Sequence, residues 1–123
     1  MELLIVIIII GILAALALPG FGVTKERVLD KEAKANLALI QAAEKIYRME
    51  AGLFYPSTGS SSVIADINTY LRVNLPTGAT SWSYSVDTDG SQTTATRSVA
   101  SGRVWTLTYA GSTAACTGTG CPP

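Results

Sequence analysis

The sequence predicts an α+β fold: a long N-terminal helix whose far half carries a small antiparallel sheet of about three strands. Three observations predict it. From residue 1 to 24 the only ionisable side chain is Glu2, and the first cationic side chain is Lys25. Apolar residues then recur at helical spacing from Leu29 to Tyr47, and farther on Trp82, Tyr84 and Val86 alternate with serines at a period of two. A chain of 123 residues has room for one modest core.

Leu3 to Leu18 reads LLIVIIIIGILAALAL, apolar throughout apart from Gly11. As a helix this run rises about 24 Å, a little short of a bilayer core of about 30 Å. The uncharged stretch continues through Pro19 to Thr24, which brings it to spanning length. Ala14-Ala15-Leu16-Ala17 could pass for a signal-peptide cleavage site, but the leading region holds Glu2 and no Lys or Arg. The segment is therefore expected to stay in the working protein.

Residues 25–51 change character. Eleven of the charged side chains lie between Lys25 and Glu50, with alternating sign. Leu29, Ala33, Leu37, Ile40, Ala43 and Tyr47 form one apolar stripe. Asp30 with Lys34, and Glu44 with Arg48, stand four residues apart with the acid first, the favourable order for surface ion pairs. Gly52 is the expected stop and Pro56 the exit. One helix from about residue 1 to 51 is expected, interrupted near Pro19-Gly20.

The chain thus divides into an apolar half-helix, 1–24, that protrudes, and a head, 25–123. The head comprises the amphipathic half-helix 25–51, a loop and short helix over 52–75, and a sheet with a C-terminal loop over 76–123. The short helix is expected from Val63 to Val73, ended by Pro76 and Gly78. The strands are expected at Trp82–Val86, Thr93–Val99 and Val104–Tyr109, with Asp89-Gly90 turning between the first two. Phe21, Tyr47, Phe54, Tyr55 and Tyr70 are expected to serve as packing.

Composition excludes much chemistry. Nine Lys+Arg balance nine Asp+Glu, which gives no electrostatic footprint for general nucleic-acid binding. Histidine is absent, so no Ser-His-Asp or Cys-His pair and no His-ligated metal can form. No phosphate-binding glycine motif occurs. No enzymatic activity and no cofactor are expected. Mean hydropathy is +0.33, concentrated in the first 23 residues. Cys116 and Cys121 stand in CTGTGC, a spacing that differs from the CxxC of redox and zinc motifs. They read as a small disulfide made in an oxidising compartment, with two free thiols as the alternative.

The opening, MELLIVIIIIGILAALALPGF, resembles the N-terminal segment of mature type IV pilins and of the related type II secretion pseudopilins. The resemblance rests on a glutamate inside an apolar helix, then a glycine and a proline at set distances: here Glu2, Gly11 and Pro19. YRMEAGLFYP after the helix is also similar to the family. In that family three residues, the first an N-methylated phenylalanine, precede the position held here by Met1, and a short basic leader precedes those.

The resemblance implies a structural subunit that polymerises into an extracellular helical filament of identical copies. It implies an inner-membrane precursor, a prepilin peptidase and pilus assembly machinery as partners, and a place on the bacterial surface. Glu2 would neutralise the N-terminal amine of a neighbouring subunit, and the stretch between Gly11 and Pro19 would lose regular helix in the filament. The alternatives are the major pseudopilin of a secretion pseudopilus and a monomeric membrane-anchored binding module. Pseudopilins carry a calcium site, which makes Asp87 and Asp89 in DTDG weak calcium candidates beside the plainer reading of a hairpin turn.

Overall fold

The computed structural model describes residues 1–17, 20–78, 80–87, 90–99 and 102–123. Seven elements follow in order: helices α1 (Glu2–Ala17), α2 (Phe21–Ala51) and α3 (Ile64–Leu71), then strands β1 (Trp82–Val86), β2 (Gln92–Arg97), β3 (Val104–Thr108) and β4 (Ala115–Thr117). The architecture is α+β. The chain forms two compact units, Met1–Lys31 and Glu32–Pro123.

In the first unit, α1 is regular helix through Gly11, and its one acid, Glu2, lies in the first turn. Pro19 lies outside the described residues. The second helix starts with Thr24 donating both its amide, at 3.1 Å, and its hydroxyl, at 3.0 Å, to the Gly20 carbonyl.

In the second unit the sheet is a four-stranded antiparallel meander in the order β1-β2-β3-β4. Its buried face is a lattice of large and small residues. Tyr84 pairs with Ala95, which pairs with Trp105; Val86 pairs with Thr93, which pairs with Leu107. Ala95 leaves room for the two rings beside it, and all six are buried. Ser85 and Thr94 share a hydroxyl hydrogen bond, one position along each strand from the buried rows. Ala33, Leu37 and Ile40 of α2 complete the core, each fully buried, together with Ile67 and Leu71 of α3. From Ala33 to Ala43 the predicted stripe is therefore the face that meets the core.

The ends of α2 and α3 obey different rules. After Ala51, Gly52 takes φ +79 and returns its amide to the Arg48 carbonyl at 2.9 Å, the expected glycine stop. By contrast, α3 ends at Arg72, a non-glycine residue with φ 54, ahead of the predicted breakers Pro76 and Gly78. The Asn68 side chain then holds both backbone groups of Leu75, at 2.7 and 2.9 Å, which fixes the chain that leaves the helix.

Two further expectations are corrected. The sheet has four strands, because Ala115–Thr117 pairs with β3, Trp105 opposite Cys116. Phe21 is 74% exposed and belongs to no core, whereas Tyr47, Tyr55 and Tyr70 do form an aromatic group.

Candidate assembly surface

All of α1 is exposed, and none of its residues is buried by its own chain. A helix of a soluble domain normally buries one apolar stripe and turns a polar face to water. This helix has no polar face. Apart from Glu2 its residues are aliphatic or glycine. At about 24 Å in length, such a cylinder demands an apolar surrounding on every side. No single helix among the described residues is long and apolar enough to cross a membrane; α1 and α2 together meet that requirement of length and composition as a broken span.

The chain itself has no structural need for a glycine at position 11. A Cβ built there meets nothing within 4 Å. Glu2 sits where the helix N-terminus favours an anion. The two lie nine positions apart on α1, about 13 Å along the axis.

The head has an apolar surface of its own. Leu39, Ile46 and Met49 of α2 are 44%, 54% and 79% exposed. With Ala42 they recur at three- and four-residue steps, a second stripe distinct from the one that meets the sheet. Between α2 and α3 this stripe borders a groove of about 290 Å³ lined also by Tyr47, Tyr70 and Leu71. Glu50 and Arg72, which also line the groove, approach each other at 3.8 Å. Sequence reasoning missed this stripe, although its spacing was readable.

Cys116 and Cys121 are disulfide-bonded, with Cα atoms 5.8 Å apart. Arg103, itself buried, donates from Nη1 to the Gly120 carbonyl at 3.1 Å and so ties the disulfide loop to the start of β3. Asp87 sits at the β1–β2 turn, where its Oδ2 accepts from Gln92 Nε2 at 2.7 Å and its carbonyl accepts from Gly90 N at 2.9 Å. Asp89 lies outside the described residues. Among the described residues no group of three or more Cys, Asp or Glu side chains is placed to hold a metal.

The expected Glu44–Arg48 surface pair does not form. Glu44 is 1% exposed and its Oε2 accepts the Tyr55 amide at 3.0 Å. Arg48 instead lies over the Phe54 ring, 4.7 Å from its centroid, with Nη1 3.5 Å from the Tyr109 hydroxyl. Burial pushes the Glu44 carboxyl up from 4.5 to about 7, opposed by the Tyr55 hydrogen bond. Burial also raises Tyr84; the Asn36 hydrogen bond lowers it and the Glu32 charge adds to the rise.

Compared with family models, with curated proteins and with solved structures, the chain matches none.

Proposed function

We propose that this chain is the structural subunit of an extracellular type IV pilus-like filament, polymerising through its N-terminal helix. One observation carries the reading: α1 is apolar on every side, has no buried residue, and has a single acid in its first turn. Each Leu or Ile moved from water to an apolar surrounding gains about 1.5–3 kcal/mol. A bilayer supplies that surrounding before assembly, and copies of the same helix supply it afterwards. Assembly then exchanges lipid contacts for helix contacts, so packing quality decides its strength.

Glu2 sets the register. A carboxylate among aliphatic side chains is costly unless paired, and the terminal amine of the next copy offers the opposite charge. That contact joins two different patches, so repetition yields an open helical polymer. The second stripe on α2, Leu39 to Met49, adds apolar surface suited to the filament interior. The Cys116–Cys121 disulfide suits a head folded outside the cytoplasm. Prepilin peptidase and pilus assembly machinery are the partners this role requires.

The test is Glu2→Ala expressed beside wild type, with membrane and sheared surface fractions imaged by negative stain. The variant is expected in the membrane fraction without filaments, while wild type gives long surface fibres. Wild-type fibre yield from the variant, or wild-type protein that never polymerises, overturns the reading.

A further inference from the structure

Assembly through α1 leaves Glu44 without a role, yet its surroundings are specific. The carboxylate is buried in the head; Oε2 accepts the Tyr55 N–H at 3.0 Å, and Oε1 has no hydrogen-bond partner. From Tyr55 the contacts continue outward. Its hydroxyl donates to Ser61 Oγ at 3.3 Å, and Ser61 exchanges two backbone hydrogen bonds with Val86, at 2.9 and 2.8 Å. Val86 ends β1, an edge strand of the sheet. One route thus leads from the helix, through the connector 52–61, to the open edge of the sheet.

We infer that Glu44 is a proton-operated latch on this connector: neutral, it holds the segment against α2 and the β1 edge, and ionised, it favours release. A buried carboxylate with one unpartnered oxygen resists charge, because ionising it in place forfeits hydration; the Tyr55 N–H bond favours the ionised form but offsets only part of that loss. Releasing the connector restores water to it.

The neighbouring groups offer no compensating cation. On α2, Arg48 lies over Phe54, Lys45 lies over the Tyr109 ring, and Glu50 faces Arg72. The connector and α3 carry Tyr55 and Tyr70, stacked with centroids 4.8 Å apart, together with Asp66 in the first turn of α3 and Arg72 at its end, while β1 carries Tyr84, bonded to Asn36. At the end of the sheet edge, Asp87 is engaged by Gln92.

The sign follows from linkage. With the connector open, Glu44 has its ordinary pKa of 4.5; closed, it holds its proton up to about pH 7. Closure is therefore strongest below the ordinary value and weakens as pH rises through that interval, then levels off. The closing constant falls by up to about 300-fold across it. This device is independent of the filament reading, since it lies wholly within residues 44–86.

Hydrogen exchange on the full chain in detergent micelles, at pH 5 and pH 8 and corrected for intrinsic rates, tests it. Amides of residues 52–61 are expected to lose protection by at least tenfold at pH 8, while β2 and β3 lose less. In Glu44→Gln the connector is expected to be equally protected at both pH values. Should that variant fail to fold, a carbon-13 titration of the wild-type Glu44 carboxyl decides, with a midpoint near 7 expected. Equal protection of the wild-type connector at the two pH values overturns the latch. So does a pH dependence that persists in folded Glu44→Gln, or a carboxyl midpoint near 4.5.

Discussion

Gly90 and Phe54 meet so closely that the ring occupies the place a Cβ on Gly90 would take. Gly90 also has φ +62, a conformation costly for other residues. The turn between β1 and β2 is thereby capped by the segment that follows α2. Phe54 also packs edge to face against Tyr109, with ring centroids 4.8 Å apart.

Gly90→Ala should therefore destabilise the head twice, through backbone strain and by displacing Phe54. A cost of about 2–3 kcal/mol is expected, lowering the head's Tm by roughly 10 °C or more. Gly59→Ala is the control, since Gly59 has φ +71 with open space around it and bears only the backbone part. Thermal melts followed by circular dichroism should separate the two; equal losses would mean that Phe54 simply moves aside.

Stability should depend on pH through Glu44. Its folded pKa lies above its ordinary value, so the folded state binds the extra proton, and stability falls as pH rises from about 4.5 to about 7. The loss from Glu44 is about 3 kcal/mol, and its contribution levels off above that window. Urea midpoints at pH 5 and pH 8 are expected to differ in wild type and to converge in Glu44→Gln.

Asn36 Nδ2 donates to the Tyr84 hydroxyl at 2.7 Å, joining α2 to β1 across the core. Tyr84 is 2% exposed, so its hydroxyl depends on this partner. Asn36→Ala should cost about 1–3 kcal/mol by stranding the hydroxyl. In a Tyr84→Phe background the same change should cost much less. A double-mutant cycle by urea unfolding measures the difference, and strict additivity would show that the bond contributes nothing.

What the sequence made legible is what local rules decide. The alternation of Trp82, Tyr84 and Val86 fixes which side of β1 faces inward without reference to anything distant. The spacing of Ala33, Leu37 and Ile40 does the same for α2. The four-residue rule pairs Glu44 with Arg48, although steps of three and four from Ala33 also put it on the core side. A helix alone does not reveal that the Tyr55 amide waits there. Ala115–Thr117 is too short and too small to show alternation; its strand character comes from pairing with β3 beside the disulfide loop. At the candidate surface, Glu2 and Gly11 stand out in the sequence, whereas the exposed Leu39–Ile46–Met49 stripe was overshadowed by the stronger stripe next to it.

Gly11 offers the sharpest separation between what a single copy needs and what an assembly needs. Its surroundings within the chain are empty, and it lies in regular helix. Gly11→Ala should therefore raise helix stability by about 1 kcal/mol, with no clash inside the subunit. Helicity of the detergent-solubilised protein should stay level or rise. In the proposed filament the same methyl group would act in the opposite direction, because small residues let neighbouring helix backbones approach closely. It also makes the helix harder to unwind toward Pro19. Filament yield from sheared cells should fall roughly severalfold while the membrane-bound pool is preserved. A yield equal to wild type would remove Gly11 from the assembly surface and leave its register to Glu2 alone.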